Sequence, residues 1–430
     1  MIQPEPSYWL MMKVKLATAM RTGRDGKKTL EHLDADLPDA VVKHILWRAY
    51  HAFRLFHKSF AHVNHAQSPV ALRQRLDEFF SGYLMKLTPT LSHPDLVSAL
   101  EGVHFLPLDR TSYLQTVSFV QDLEARFGNV TATVVLWRHH LVSSGLKDLL
   151  DLKSFYDYIT DPETGKIADG IVSMVKPKGE SVIASRPTTL RPTAAALALQ
   201  NAHSSSDISS MLFSALTSRS SRFTGFIVPS FNPSEISVPV HPKKLFIGRD
   251  AEEMFVVLYQ NQDELTIALF ISTAESHSQT VPPSVQARDR TFYTALSAFL
   301  ESRCPHLSSV ISDGFSRTRK ISEYTDQHYR YLYYNAANLA FKTSIGTSKS
   351  AMVTPEIAQC LNEIHEDFES TALNLTETSV RSVAEFWILA RKSEGREFYL
   401  VLPKAEMTLL DVDEEMQKLT HSYFSNIFLD

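Results

Sequence analysis

In the C-terminal third of the chain, short runs of aromatic and branched residues are separated by stretches in which apolar residues return every three or four positions. Tyr329 to Tyr334 and Asn338 to Ile345 predict two strands about the polar break Asn335-Ala336-Ala337. Thr354 and Pro355 then predict a helix start, with a hydroxyl to cap it and a proline where no N–H is needed. Ile357, Leu361, Ile364 and Phe368 fall on one face of that helix. A second hairpin is expected from Phe386 to Ala390 and Phe398 to Leu402 around Ser393-Glu394-Gly395, with a short extra strand at Met407 to Leu410. Asp411 and Glu414 have capping-box spacing before a closing helix that stacks Val412, Met416, Leu419, Tyr423 and Ile427.

The same order of strand pair, helix, strands and helix recurs in the middle of the chain. Thr131 to His139 and Leu141 to Leu146 predict a strand pair, about Lys147 to Ile159 a helix, and Lys244 to Ile247, Met254 to Tyr259 and Leu265 to Ile271 further strands. Two helices, about Arg288 to Arg303 and Leu307 to Lys320, complete the unit. Between about 161 and 222, Ser, Thr, Pro and Ala dominate, and the composition predicts a disordered insertion. The N-terminal part opens with an expected strand at Tyr8 to Leu16 and continues in helices at Ala40 to Val63, Val70 to Leu87 and about Arg110 to Phe127. The pattern divides the chain into units at 1–128, 129–322 and 323–430, an α+β protein in which the first unit lacks an opening strand pair and helix.

The chain has 430 residues, a formal charge of -5 and two cysteines, Cys304 and Cys360. No overall cationic field draws it to nucleic acid, no disulfide framework is available, and the expected compartment is the cytosol. No apolar run reaches the length of a membrane span, so a membrane role is expected to be peripheral.

Motifs for chemistry are weak. Gly23-Arg24-Asp25-Gly26-Lys27-Lys28-Thr29 has the wrong glycine spacing for a phosphate loop and reads as a hairpin turn. His44, His51, His57, His62 and His65 lack the spacing of a metal site. Ser144 and Lys147 have Ser-x-x-Lys spacing without its companion motifs, and the aromatic run with Arg330 reads as a plain strand rather than a base-stacking platform. No cofactor, no metal and no catalytic residue is expected.

The end of the chain, Arg396-Glu397-Phe398-Tyr399-Leu400-Val401-Leu402, then Asp413-Glu414-Glu415-Met416-Gln417-Lys418-Leu419 and Ser425-Asn426-Ile427-Phe428-Leu429-Asp430, resembles the vacuolar fusion protein Ccz-one family. Pro4-Glu5-Pro6-Ser7-Tyr8-Trp9, Phe105-Leu106-Pro107-Leu108-Asp109, Trp137 to Leu146 and Tyr331 to Leu339 carry the same resemblance in the same order. It implies three tandem longin domains, each a five-stranded antiparallel sheet flanked by helices. It also implies a heterodimer with a Mon-type longin subunit, a guanine-nucleotide exchange factor for a late-endosomal Rab GTPase, and a further regulatory subunit. The chain would then be cytoplasmic and recruited peripherally to late endosome and lysosome (vacuole) membranes. Family members have a strand pair and a helix ahead of the segment matching Pro4 to Leu16, so the chain is expected to be shortened at its N-terminus. The partner surface is expected at Tyr8, Trp9 and Met11 and on the basic helix face of Arg48, His51 and Arg54. A longin adaptor or tethering scaffold without exchange activity is the second reading; a hydrolase would need a nucleophile and base that the sequence does not display.

Overall fold

The computed structural model describes residues 1–15, 18–22, 28–32, 39–92, 100, 102–106, 108–160, 224–227, 242–262, 264–273, 289–345, 354–370, 374–382, 386–402 and 407–423. The turn at Gly23 to Lys28, the insertion at about 161–222 and residues 424–430 lie wholly or mostly outside this set.

Strands β1 (Ile2–Glu5) and β2 (Tyr8–Leu10) form one hairpin, and β3 (Thr18–Thr22) and β4 (Lys28–His32) another. The expected strand to Leu16 therefore stops at Leu10, and the described N-terminal residues form two separate ribbons rather than a five-stranded sheet. Helix α1 (Asp39–His57) is followed by α2 (Phe60–Ala66) and α3 (Pro69–Ser92). The single helix expected over Ala40 to Val63 is broken where Lys58 takes a positive φ of 67° and Ser59 accepts from the His62 N–H as a new N-cap. Apolar spacing runs through the break, because Phe53 and Phe60 pack into one cluster from either side of it.

Strand β5 (Val103–His104) leads into α4 (Arg110–Arg126). The second sheet comprises β6 (Val130–Trp137), β7 (His140–Ser144), β8 (Thr224–Ile227), β9 (Lys243–Ile247), β10 (Glu252–Asn261) and β11 (Leu265–Ser272), with α5 (Leu149–Thr160) after β7 and α6 (Arg290–His328) after β11. Its order is β7-β6-β11-β10-β8, with β9 also on β10. Ile227 lies opposite Leu258 and Lys243 opposite Val256, so β8 and β9 are two halves of one edge strand, divided opposite Val257.

The third sheet comprises β12 (Arg330–Asn335), β13 (Ala340–Thr343), β14 (Glu377–Arg381), β15 (Trp387–Ser393) and β16 (Arg396–Leu402), with α7 (Pro355–Glu369) after β13 and α8 (Leu409–Tyr423) after β16. Its order β14-β15-β16-β12-β13 repeats that of the second: within each unit the first and last strands are central neighbours and the second strand is an edge.

Each sheet is covered on both faces. Leu123 of α4 and Leu296, Leu300 and Ile311 of α6 bury one face of the second sheet, and Leu152 and Phe155 of α5 the other. Thus α4, placed by sequence pattern in the first unit, belongs to the core of the second. Two helices were expected where α6 runs unbroken through Pro305. The buried stripe of Tyr293, Leu296, Leu300, Cys304, Leu307 and Ile311 continues past an exposed proline, and packing outweighs its cost of about 3 kcal/mol.

On the third sheet, Ile357, Leu361, Ile364 and Phe368 bury one face and Val412, Met416 and Leu419 the other, as the periodicity predicts. The extra strand expected at Met407 to Leu410 is instead the start of α8. Thr408 accepts from the Asp411 N–H, and Asp411 accepts the Thr408 N–H in return, which puts the capping box three residues ahead of the expected one.

Helix α1 is a keel shared by all three parts. Val41 and Ile45 enter the core of the third sheet, Leu55 that of the second, and Tyr50 and Phe53 an aromatic cluster with Phe60, Val63 and Leu72.

The segment between β5 and α4 joins the two large sheets edge to edge. Val103 and His104 pair in parallel with Ala340 and Phe341 of β13, and Phe105 bridges in parallel to Leu141 of β7. The Val103 N–H donates to the Leu339 carbonyl at 2.7 Å and the Leu106 N–H to the Leu141 carbonyl at 2.8 Å, toward opposite sides as strand alternation requires. Gly102 is obligatory here, since a Cβ would lie 2.2 Å from the Phe341 Cβ.

Candidate functional site: an N-terminal hairpin clamped to the keel

A buried carboxylate ties the β1–β2 hairpin to α1 and α2. Glu5 is 8% exposed, and its Oε1 accepts the Tyr50 hydroxyl of α1 at 2.9 Å and the Phe60 N–H at 2.6 Å, while Oε2 accepts the Ala61 N–H at 2.9 Å. Phe60 and Ala61 are the first residues of α2, whose unsatisfied N–H groups favour an anion. Tyr8 adds a ring contact to Phe60 at 5.9 Å, and its hydroxyl accepts from Asn64 at 2.9 Å.

With that side fixed, the hairpin presents Trp9, 55% exposed, and the residues after it present Met11, 70% exposed. Indole and thioether side chains are costly to leave in water, and an anchored apolar pair of this kind is suited to recognition. Their exposure sets them apart from Tyr8, whose ring packs and whose hydroxyl is bonded.

The basic face of α1 lies elsewhere. Arg54 donates to the Gly248 carbonyl at 2.8 Å and pairs with Asp151 of α5 at 3.4 Å, and the Asp151 Oδ2 accepts the Gly248 N–H at 2.6 Å. Gly248 has φ +82°, a conformation open to glycine, which lets its carbonyl and N–H both face this node. Arg48 pairs with Asp157 at 2.9 Å, and Asp157 also holds Lys153. Burial pushes the Asp151 carboxyl up to about 6, against the opposing pull of the Gly248 N–H and Arg54. His51 stacks on Trp47 at 5.7 Å, and burial, followed by the Arg54 charge, lowers it to about 4, so its imidazole is neutral. Arg54 and, with its side chain 38% exposed, Arg48 therefore pair across an intrachain seam between α1 and the second unit, His51 packs on Trp47 and Tyr50 of its own helix, and Trp9 and Met11 are exposed. Glu5, which positions them, carries no sequence signal beyond being one acidic residue in a short strand.

A second polar cluster is closed off in the third sheet. Buried Glu397 accepts from Tyr399 at 2.7 Å and contacts the His365 Nδ1 at 2.8 Å, and Lys392 approaches its other oxygen at 3.5 Å. Burial acts to raise the Glu397 carboxyl, but the bonds from His365 and Tyr399 and the Lys392 charge together hold it below the usual range. No serine or cysteine takes part in these contacts, and among the described residues no group of three or more His, Cys, Asp or Glu side chains is placed to hold a metal. Burial pushes the Cys304 thiol up to about 12, which keeps it protonated. No described helix is long and apolar enough to cross a membrane.

The family model for Intu longin-like domain 3 matches residues 325–419, the span of the third sheet and its two helices. The whole chain is similar to curated proteins named vacuolar fusion protein CCZ1 homolog. The relative from Nematostella vectensis is 29% identical over 430 residues, covering 99% of this chain and 82% of the relative. That from Xenopus laevis is 26% identical over 432 residues, with coverage of 99% and 82%. The Dictyostelium discoideum relative is 23% identical over 434 residues, covering 100% of this chain and 82% of its own length.

Proposed function

We propose that this chain, a homologue of the vacuolar fusion proteins named CCZ1 over nearly its whole length, acts in endosome-to-vacuole trafficking as one subunit of a heterodimeric guanine-nucleotide exchange factor. Its partner would be a Mon-type longin subunit and its target a late-endosomal Rab GTPase. Exchange of this kind forms no covalent bond: the factor binds the nucleotide-free GTPase more tightly than the loaded one, and release follows from that difference. Folded surfaces suffice for it, and the observation that carries the reading is the exposed Trp9 and Met11 held on a clamped hairpin within a near-full-length match.

The test is co-purification with the Mon-type partner, followed by release of a fluorescent guanine nucleotide from the Rab. The expected result is a stable complex that accelerates release, with Trp9→Ala and Met11→Ala together weakening assembly at least tenfold, about 1.4 kcal/mol. A complex without acceleration would point to the scaffold reading. Full assembly by the double variant would remove the hairpin from the interface.

A further inference from the structure

Three imidazoles converge where residues 102–106 thread between the edges of the two large sheets. The rings of His139, in the β6–β7 turn, and His140, the first residue of β7, lie 4.0 Å apart, and His104 sits 6.3 Å from the first and 6.4 Å from the second. Phe341 of β13 lies 5.3 Å from His104, and Phe315 of α6 lies 5.8 Å from His140. One histidine is therefore on the joining segment, and two are on the sheet it joins.

We propose that residues 102–106 form a releasable strap: seated, they join the facing edges of the second and third sheets, and protonation within the His104, His139 and His140 cluster lifts them out and parts those edges, while α1 still spans both cores. The inference concerns residues other than those of the N-terminal hairpin and does not depend on the exchange reading.

Two cations, Arg138 and Lys153, oppose an added proton in the cluster, while the contacts from α6 and β13 are the rings of Phe315 and Phe341. On the β6 side Arg138 is paired with Glu264 at 2.9 Å and lies over the Phe315 ring at 5.2 Å. On α5, Lys153 is held by Asp157 and faces the Tyr156 ring at 5.8 Å, and the Tyr156 hydroxyl donates to the His139 carbonyl at 2.6 Å. Burial, then His139 and Lys153, lower His104 to about 4. Burial, then His139, His104 and Arg138, lower His140 to about 3, opposed by the Trp137 backbone. His139 is lowered by burial and by Arg138. The side-chain charges acting on these rings are cationic, so a proton gained by one is repelled by its neighbours and is better accommodated with the strap out.

Backbone pairing to β13 and to Leu141 holds the strap at about 1 kcal/mol net per bond, and Val103 and Leu106, buried in the cores of the two clusters they enter, add to that hold. If His104 titrates at about 4 when seated and at 6.5 when released, lowering the pH to about 5 multiplies the strap-opening constant by about 30 through that one residue.

The experiment is hydrogen exchange of the full chain at about pH 7.5 and about pH 5, with labelling times scaled for the intrinsic pH dependence. Segments 102–106, 140–144 and 339–343 are followed, with 265–271 and 398–402 as references. The expected result is loss of protection by an order of magnitude or more in all three segments together at the lower pH, while the references hold. His104→Phe, which keeps a ring against Phe341, should abolish most of that response, and His140→Phe serves if the first variant folds poorly. At neutral pH, Val103→Pro removes the N–H bonded to Leu339 and should expose both edges. Unchanged protection at the lower pH, simultaneous loss in the reference strands, or a Val103→Pro variant that exposes β13 but not β7 would each overturn the proposal.

Discussion

Replacing Glu5 by alanine removes the acceptor of three hydrogen bonds and leaves the Tyr50 hydroxyl and the Phe60 and Ala61 N–H groups without it. Bonds to a charged group contribute about 1.5–3 kcal/mol each, so the gross loss approaches 6 kcal/mol. Much of it returns, because water reaches the freed α2 terminus and the carboxylate no longer has to be desolvated. A net loss of about 3 kcal/mol is expected, and it falls on the hairpin rather than on the global fold, since among the described residues β1 and β2 pair only with each other. Glu5→Gln keeps one acceptor oxygen but turns an amide N–H toward a backbone donor, so it should lose about half as much. Hydrogen exchange over residues 2–10 measures the effect directly: an alanine variant should open the hairpin roughly 100-fold more often, and the glutamine variant about tenfold. Capture of the Mon-type partner should fall in the same order. If residues 2–10 keep wild-type protection in Glu5→Ala, the clamp is not what seats Trp9 and Met11.

Arg54→Ala should destabilise the chain by about 3 kcal/mol in urea unfolding, because it strands a buried Asp151 and frees the Gly248 carbonyl. Asp151 itself has a seated value of about 6, above its unfolded 3.8, so the folded state binds that proton more tightly and the residue's contribution to stability grows as pH falls from about 6 toward 4. Asp151→Asn should flatten this part of the pH–stability profile while keeping an acceptor for the Gly248 N–H. Thr354→Ala removes the side chain that accepts the Ile357 N–H at 3.3 Å, and should cost about 1 kcal/mol, read as a lowered Tm.

The elements that sequence displayed plainly are those whose cores are local. Ile357, Leu361, Ile364 and Phe368 announce both a helix and its buried face, and the β15–β16 turn at Glu394 and Gly395 takes the positive φ its residues suggest. What stayed hidden depends on distant partners. β14, Glu377–Arg381, alternates without a strongly apolar face and becomes a strand only because β15 offers it an edge. The basic face of α1 was legible, but Asp151 and Asp157, which absorb Arg54 and Arg48, lie some hundred residues away. Residues 103–106 are too few to show a period, and parallel pairing to two separate sheets leaves no local trace. At the candidate site, Trp9 and Met11 could be nominated, whereas the carboxylate that orients them could not.

The divided edge strand has a consequence for how such a chain can change. β8 stops opposite Leu258 and β9 resumes opposite Val256, so the two strands meet the same partner two positions apart although residues 228–242 lie between them in sequence. Nothing inside the sheet measures how much chain passes between those points. Closure entropy grows slowly with loop length, about 0.6 kcal/mol for each doubling, so the pairing of β8 and β9 with β10 only weakly constrains the length of sequence between them. The rim is thus a place where the length of the chain can change while β8, β9 and β10 stay paired.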